Sequence, residues 1–266
     1  MNILYIGDIM AEPGIKVVER LLTQIKQAKS VDVVIAQAEN VTDGKGLSKA
    51  DYERLKKAGV DGFTGGNWTL HNSEIYDHLS DPQQPIVRPA NYPAGTPGQS
   101  YKIIKSPKGD ILLISLLGAI VGKDADKPTD NVLKTVDQIL DETKSRQLAA
   151  TVVNFHGDFS SEKVIIGYYL DGRASLVVGD HWHVPTADAM ILPKGTAHQT
   201  DVGMCGVLHG SLGISLDSVI PRWLDGVRTK NELETNGPFQ FNAILVSVDE
   251  ATGLATNVET IQKIVD

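Results

Sequence analysis

The sequence has few of the features typical of membrane proteins or of proteins from oxidising compartments. Cys205 is the single cysteine among 266 residues, so no intramolecular disulfide can form, which fits a reducing compartment. No apolar run approaches the roughly 20 residues that a membrane-spanning helix needs. The first residues carry no basic segment, and we expect them to form a strand and not a signal peptide. We therefore expect a cytoplasmic protein that does not associate with membranes.

Positive charge is also scarce. The chain has 25 Lys and Arg against 33 Asp and Glu, which gives a formal net charge of -8. An acidic balance of this size disfavours non-specific binding to polymeric nucleic acid, which requires many Lys and Arg contacts to phosphates. It still permits a small phosphoester to bind through a cationic metal site. The sequence leaves the oligomeric state open, including a homo-oligomer.

The order of the predicted elements is typical of an α/β fold. Buried strands alternate with amphipathic helices from the first strand onward. Ser48 is a predicted N-cap for the helix after the second strand, with Asp51 three residues later. A helix is predicted over 211–226, and the runs 238–248 and 254–264 are predicted to close the chain as an antiparallel pair. Because there is no internal repeat, low-complexity tract or linker, we expect residues 1–266 to form a single domain.

Two histidines lie one residue apart after an apolar run in the second half of the chain. The stretch 177–184 reads VVGDHWHV and contains His181 and His183. In an extended segment, residues i and i+2 point to the same side, so both imidazoles would aim at one point. Neutral imidazole is the commonest metal ligand among side chains. Alone, such a pair is more typical of a polar hairpin with two solvated histidines than of a metal site.

Further residues of metal-binding type come just after the predicted strands. Asp8, Glu39, Asn67 and His156 each follow one of them. Each alone has an ordinary structural explanation, such as a helix cap, a turn residue or a hydrogen-bonded loop histidine. In open α/β sheets, however, the carboxyl ends of the strands form the edge at which ligands bind. Together with the histidine pair, these residues predict one metal site.

The chemistry of this set indicates the metal and the reaction. Carboxylates, an amide oxygen and imidazoles favour Fe, Mn or Zn over Ca or Mg. The ligands are sufficient for two ions if Glu39 bridges them. Two ions about 3.5–4 Å apart suit in-line displacement at phosphorus. We therefore predict hydrolysis of a phosphoester, in which a hydroxide held by the metals attacks the phosphorus.

At these residues the chain resembles the YmdB family of calcineurin-like metallophosphoesterases, which are bacterial 2′,3′-cyclic nucleotide phosphodiesterases. The similarity runs in family order from the first strand to about residue 206. The matching stretches are Ile6-Gly7-Asp8 with Pro13-Gly14, Ala38-Glu39-Asn40 with Gly44-Lys45-Gly46-Leu47, Gly66-Asn67, Arg88-Pro89-Ala90-Asn91, Phe155-His156 with Ser161-Glu162-Lys163, 171–175, 181–183 with Thr186-Ala187-Asp188, 192–196 and 200–204.

The resemblance implies a fold, a cofactor and a substrate. The fold would be an α/β sandwich of two mixed β-sheets flanked by helices, of the metallophosphoesterase type. The cofactor would be two transition-metal ions, with iron as the native metal and manganese as a substitute. The substrate would be a small cyclic nucleotide resembling 2′,3′-cAMP. One ion would be bound by Asp8, Asn40 and His183, and the other by Asn67, His156 and His181, with Glu39 shared.

The chain departs from the family pattern at a chemically important position. The family has His after the position of Asn67, whereas this chain has Trp68. That His would donate a proton to the leaving oxygen, and an indole does not titrate near neutrality. Losing a general acid typically lowers the rate by about 10²–10⁴-fold. His71 is the candidate replacement donor. Asp158 stands in place of a family Glu, and Asp180 in place of a family Thr.

Three functions stay open at this level. The first is a dinuclear-metal phosphodiesterase of small cyclic nucleotides, weakened by Trp68. The second is a regulatory or scaffold protein that holds the metals but has lost catalysis. The third is a phosphatase with a different substrate and a different proton donor. The identity of residue 68 is the feature that separates the first function from the second.

Overall fold

The structure, a computed structural model, describes all 266 residues and contains thirteen β-strands and six α-helices. No helix combines the length and the apolar character that crossing a membrane requires. In chain order the elements are β1 (Asn2–Ile6), β2 (Asp8–Ile9), α1 (Ala11–Lys29), β3 (Val33–Gln37), α2 (Lys49–Ala58), β4 (Gly62–Thr64), α3 (Tyr76–Ser80), β5 (Tyr101–Ile104), β6 (Asp110–Leu117), α4 (Val132–Thr143), β7 (Leu148–His156), α5 (Ser160–Tyr169), β8 (Leu176–Asp180), β9 (Met190–Ile191), β10 (Ala197–Gln199), β11 (Met204–Val207), α6 (Leu216–Asp225), β12 (Phe239–Asp249) and β13 (Leu254–Val265).

The first sheet contains seven strands. Their order is β2-β11-β12-β1-β3-β4, and β13 also pairs with β12. β1 is parallel to β3, with Ile3 opposite Val33, and β3 is parallel to β4, with Ile35 opposite Gly62. β12 is antiparallel to β1, β11 and β13. The sheet is therefore mixed, and β1, β3 and β4 end at the same edge.

The second sheet contains six strands. Their order is β5-β6-β7-β8-β10-β9. The four central strands are mutually parallel, and the two edge strands are antiparallel to their neighbours. His156 at the end of β7 lies opposite Asp180 at the end of β8. This sheet is also mixed, and it delivers two adjacent strand ends to one place.

Three clusters of buried apolar residues separate four layers. The first sheet packs on α1 and α2 through residues such as Leu4 and Leu22. The two sheets pack on each other through residues such as Ile3 and Val152. The second sheet packs on α4 and α5 through residues such as Val136. Both faces of β1 are buried, which explains its continuous apolar sequence. The predicted α/β sandwich of two mixed sheets flanked by helices is confirmed.

Among the predictions for helices and strands outside the candidate site, two are confirmed and one is partly wrong. Ser48 caps α2, and its Oγ accepts a hydrogen bond from the backbone N–H of Asp51 at 3.1 Å. β12 and β13 form the predicted antiparallel pair. The helix predicted over 211–226 begins only at Leu216. Leu212 and Gly213 have φ of 57° and 86°, a left-handed conformation that no α-helix contains, so the prediction for 211–215 was wrong.

Candidate metal centre

Seven side chains come together where the carboxyl ends of strands from both sheets meet. They follow, or end, β1, β3, β4, β7 and β8. Five of them are buried, whereas the side chains of His181 and His183 are 21% and 9% exposed. The seven are Asp8, Glu39, Asn40, Asn67, His156, His181 and His183.

His156 lies at the centre of one half of the cluster. Its Nε2 is 2.9 Å from Asn67 Oδ1 and 3.0 Å from Glu39 Oε1, and its Nδ1 is 2.6 Å from Asp180 Oδ1. The ring of His181 packs against it, with 4.4 Å between the ring centroids. A neutral imidazole has only one N–H, so it cannot satisfy oxygen atoms at both nitrogens. Either a proton or a cation at Nε2 therefore satisfies this arrangement, and the imidazole nitrogen, carboxylate oxygen and amide oxygen gathered there form a donor set that fits a metal ion.

Asp8 and His183 form the other half. Asp8 Oδ1 is buried and has no hydrogen-bond partner. It lies 3.8 Å from His183 Nε2, which in turn lies 3.4 Å from Asn40 Oδ1. Leaving a buried acceptor unsatisfied costs about 1–3 kcal/mol, and more for a charged group. A metal ion among these three side chains would remove that penalty, so the residues present fit such an ion here.

Burial and charge set the protonation of this cluster. Burial lowers the pKa of His181 and of His183 to about 4, so both imidazoles are neutral near pH 7. Burial also disfavours the charged form of His156, but the carboxylates of Glu39 and Asp180 outweigh it and raise the His156 pKa well above its usual value. Since a metal binds neutral imidazole, the first two histidines are ready to coordinate, whereas His156 must first release a proton.

His181 and His183 reach the site in a conformation that the sequence did not predict. β8 ends at Asp180, and the two histidines have φ of 100° and 62°. Such left-handed backbone is rare for residues with a Cβ and costs about 1–3 kcal/mol at each position. The expectation of an extended pair pointing to one side was therefore wrong. The bend separates the rings, so that His181 contacts His156 while His183 contacts Asn40.

Asp180 is a central residue of the site that the sequence marked only as a departure from the family. It is fully buried, and its Oδ1 accepts from His156 Nδ1. Its Oδ2 accepts from Tyr5 Oη at 2.9 Å, from Gln37 Nε2 at 2.9 Å and from Asn154 Nδ2. A carboxylate behind a metal-binding His fixes its tautomer and ring orientation. Its place at the end of β8 is the signal that could have identified it.

Two more carboxylates hold the outer sides of candidate ligands. Asp124 accepts from Asn67 Nδ2 at 2.9 Å, which directs Asn67 Oδ1 towards the cluster. Lys127 Nζ lies 3.0 Å from Asp124 Oδ1 and donates to the backbone carbonyl oxygen of Asn67 at 3.2 Å. Asp158 Oδ1 lies 3.3 Å from His181 Nε2. The shorter Asp at position 158 therefore still reaches the site.

Trp68 lies at the edge of the cluster. Its backbone N–H donates to Glu39 Oε2 at 2.9 Å, which holds this segment against the candidate ligands. Its indole ring lies 4.6 Å from Lys45 Nζ and 5.8 Å from Lys127 Nζ. The ring of His71 packs edge-on against the indole at 5.2 Å. The side chain of His71 makes no hydrogen bond to the seven candidate ligands.

The four layers and the cluster at their strand ends define a class: the protein is a metallophosphoesterase. The model of the family described as YmdB-like protein matches residues 4–261. The chain therefore belongs to the YmdB-like family, and the resemblance found in the motifs is confirmed.

Similar proteins agree over essentially the whole chain. A 2′,3′-cyclic-nucleotide 2′-phosphodiesterase of Bacillus subtilis is 36% identical over 261 residues, which are 98% of this chain and 96% of the relative. A hypothetical protein of Thermus thermophilus has a crystal structure with a TM-score of 0.90 and 36% identity, and each chain covers 100% of the other. The crystal structure of a novel phosphatase from Mycoplasma pneumoniae has a TM-score of 0.91 and 31% identity, covering 100% of this chain and 94% of that one.

Proposed function

We propose that the protein hydrolyses a small cyclic nucleotide of the 2′,3′-cAMP kind and uses two transition-metal ions, iron in the native state and manganese as a substitute. The proposal includes residues 1–266 acting as one domain in the cytoplasm. The observation that carries it is the convergence of Glu39 and Asn67 oxygens at His156 Nε2, beside the partnerless Asp8 Oδ1. The activity named for the Bacillus subtilis relative supports the choice of substrate.

The contacts support an assignment of ligands to two ions. Glu39, His156 and His181 offer ligand atoms within 4.8 Å of one another. Asp180 also has an oxygen near His156, but hydrogen bonds already engage both of its oxygens, so we assign it to holding His156. Asn67, His156 and His181 would then hold one ion, Asp8, Asn40 and His183 would hold the other, and Glu39 would contribute to both.

The reaction forms one P–O bond to water and breaks one P–O bond to the ribose, whose oxygen takes up a proton. Two bound ions would supply Lewis acidity and an activated water. The chain holds its imidazoles neutral through burial and orients His156 through Asp180. No imidazole stands at residue 68 to give the ribose oxygen its proton. We therefore propose a turnover about 10²–10⁴-fold below that of an enzyme with a general acid there.

The choice of substrate tests this account of the proton. A nitrophenolate leaves without protonation, whereas a ribose oxygen requires it. The absence of a proton donor should therefore lower kcat/KM less for bis(4-nitrophenyl) phosphate than for 2′,3′-cAMP. With Mn²⁺ bound, the aryl diester should be the better substrate. Equal efficiency on the two substrates would mean that another residue donates the proton. A loss of cyclic-nucleotide activity in His71→Ala, without loss of aryl-diester activity, would identify His71 as that residue.

The variant Trp68→His tests the same account of the proton by supplying the imidazole that the chain lacks at residue 68. The backbone of residue 68 is bound to Glu39 Oε2, so the new imidazole should project where the indole does. Activity on 2′,3′-cAMP should rise by about 10²-fold or more, and activity on the aryl diester should change little. The gain should decline as pH rises through the imidazole pKa, usually about 6.5, because the protonated ring is the donor. An unchanged rate at normal metal content would refute this account.

Trp68 also favours a second candidate, a regulatory or scaffold protein that holds metals without catalysis. In that case the protein would carry two ions per chain but hydrolyse neither diester, and Trp68→His would not restore activity. A phosphatase with another substrate is the third candidate. It would hydrolyse monoesters such as 4-nitrophenyl phosphate faster than either diester.

A further inference from the structure

A buried ion pair packs against the segment that carries the two histidines. Lys163 on α5 and Asp201, just after β10, are both fully buried, and Lys163 Nζ lies 2.8 Å from Asp201 Oδ2. Neither residue is a candidate metal ligand. Replacing a buried ion pair by apolar side chains of similar volume is often neutral for stability. Folding alone therefore explains this pair poorly.

The pair holds the backbone on both sides of His181. Lys163 Nζ donates to the carbonyl oxygen of Asp180 at 2.6 Å, and Asp201 Oδ2 accepts from the backbone N–H of Trp182 at 2.9 Å. The Lys163 ammonium group also lies 3.8 Å from the centroid of the Trp182 ring, a cation–π contact. One ion pair thus fixes the residue before His181 and the residue after it.

His181 requires this support because of its backbone. With φ of 100°, it adopts a conformation that a residue with a Cβ keeps only where its surroundings enforce it. Its own N–H donates to Asp8 Oδ2 at 3.2 Å. Gly179, two residues earlier, leaves no room for a Cβ, because the carbonyl oxygen of Thr200 would overlap it. The loop that contains Thr200 and Asp201 therefore lies close against the whole turn.

We propose that Lys163 and Asp201 are positioning residues that keep His181 in its metal-binding conformation. The proposal rests on the proposed function, since it assumes that His181 binds an ion. Neither residue touches an ion, and both act through the two peptide groups that flank His181. Their loss should therefore weaken the ion assigned to Asn67, His156 and His181 more than the other ion, to which His181 is not a ligand.

The test is the double variant Lys163→Met with Asp201→Leu, which removes both charges and conserves much of the volume. Metal-free protein is titrated with Mn²⁺, and loss of the free-ion EPR signal counts the bound ions. Wild-type protein should bind two ions. The variant should bind one ion as wild type does and the second about 10–100-fold more weakly. Its urea unfolding midpoint should fall only moderately, because the backbone N–H groups of Trp182 and Gly203 lose their acceptor but no buried charge is left unpaired.

Lys102→Met is the matched control. Lys102 is also buried and donates to a backbone carbonyl, that of Asp81 at 3.0 Å, but it lies outside the cluster. The Lys102→Met variant should bind both Mn²⁺ ions with wild-type affinity. Should the double variant not fold, Asp201→Asn, which keeps the volume and one acceptor, should weaken the same ion.

The outcomes separate the two proposals. A folded double variant that binds both ions with wild-type affinity would overturn the positioning role alone. Equal weakening of both ions would also overturn it, because a general loss of structure does not select one ion. Wild-type protein that binds no Mn²⁺ would overturn the proposed function and, with it, the positioning role.

Discussion

Asp180→Asn should destabilise the protein severely although it changes only one atom. Asp180 is fully buried, and four side chains donate to its two oxygens, among them His156. An Asn amide nitrogen is a donor, so it would face donors at one of the two positions. Removing one partner of a buried charged pair typically costs about 3–5 kcal/mol. The free energy of unfolding should fall by that amount, a large part of the about 5–15 kcal/mol of a typical domain.

The assay is urea unfolding of the metal-free protein, followed by a Mn²⁺ titration. Metal affinity should fall about 10–100-fold, because His156 loses the carboxylate that orients it. Asp137→Asn is the matched control. Asp137 pairs with Arg173 at 2.6 Å, but both side chains are 40% exposed, so its loss should cost less than about 1 kcal/mol. A cost below about 1 kcal/mol in Asp180→Asn, with Mn²⁺ affinity unchanged, would refute the central role assigned to Asp180.

Two further predictions concern protons and helix capping. Mn²⁺ binding at pH 7 should release at least one proton, because metal-free His156, with its raised pKa, is protonated there and a metal binds the neutral ring. Calorimetry in buffers of different ionisation enthalpy counts that proton, and the release should diminish as pH rises through the His156 pKa. Ser48→Ala removes the acceptor for the Asp51 N–H and should cost about 1 kcal/mol in chemical denaturation, whereas no change would discount the cap.

The part of the site that could be predicted from sequence depends on local order along the chain. Asp8, Glu39 and Asn67 stand just after strands that the sequence marks by their apolar runs, and His156 ends such a strand. Parallel strands end at one edge, so position after a strand is enough to predict that such residues meet. No pattern in the sequence marked Asn40 as a ligand, and only the family resemblance predicted it. The two-sheet sandwich likewise needed the resemblance, since periodicity does not show how sheets pack.

The part that could not be predicted depends on contacts between distant segments. The left-handed backbone at His181 is enforced by Lys163 and Asp201, which come from a helix and a loop far apart in the chain. The hydrogen bonds of Asp180 likewise come from three other strands. The side-chain period of an extended strand was the wrong rule for the histidine pair, because β8 ends one residue before it. Tertiary contacts override local preference at this position.

The strand order of the first sheet sets when the candidate metal centre can assemble during synthesis. β2, which carries Asp8, pairs with β11, and β11 pairs with β12. All seven candidate ligands precede β11 and β12 in the chain. At a translation rate of about 5–20 residues per second, the ribosome synthesises these ligands several seconds before it completes the two strands that hold β2 in place. Pairings between such distant segments also form slowly. We therefore expect nascent chains to expose unassembled imidazoles and carboxylates, and metal to be acquired only after translation has passed Asp249.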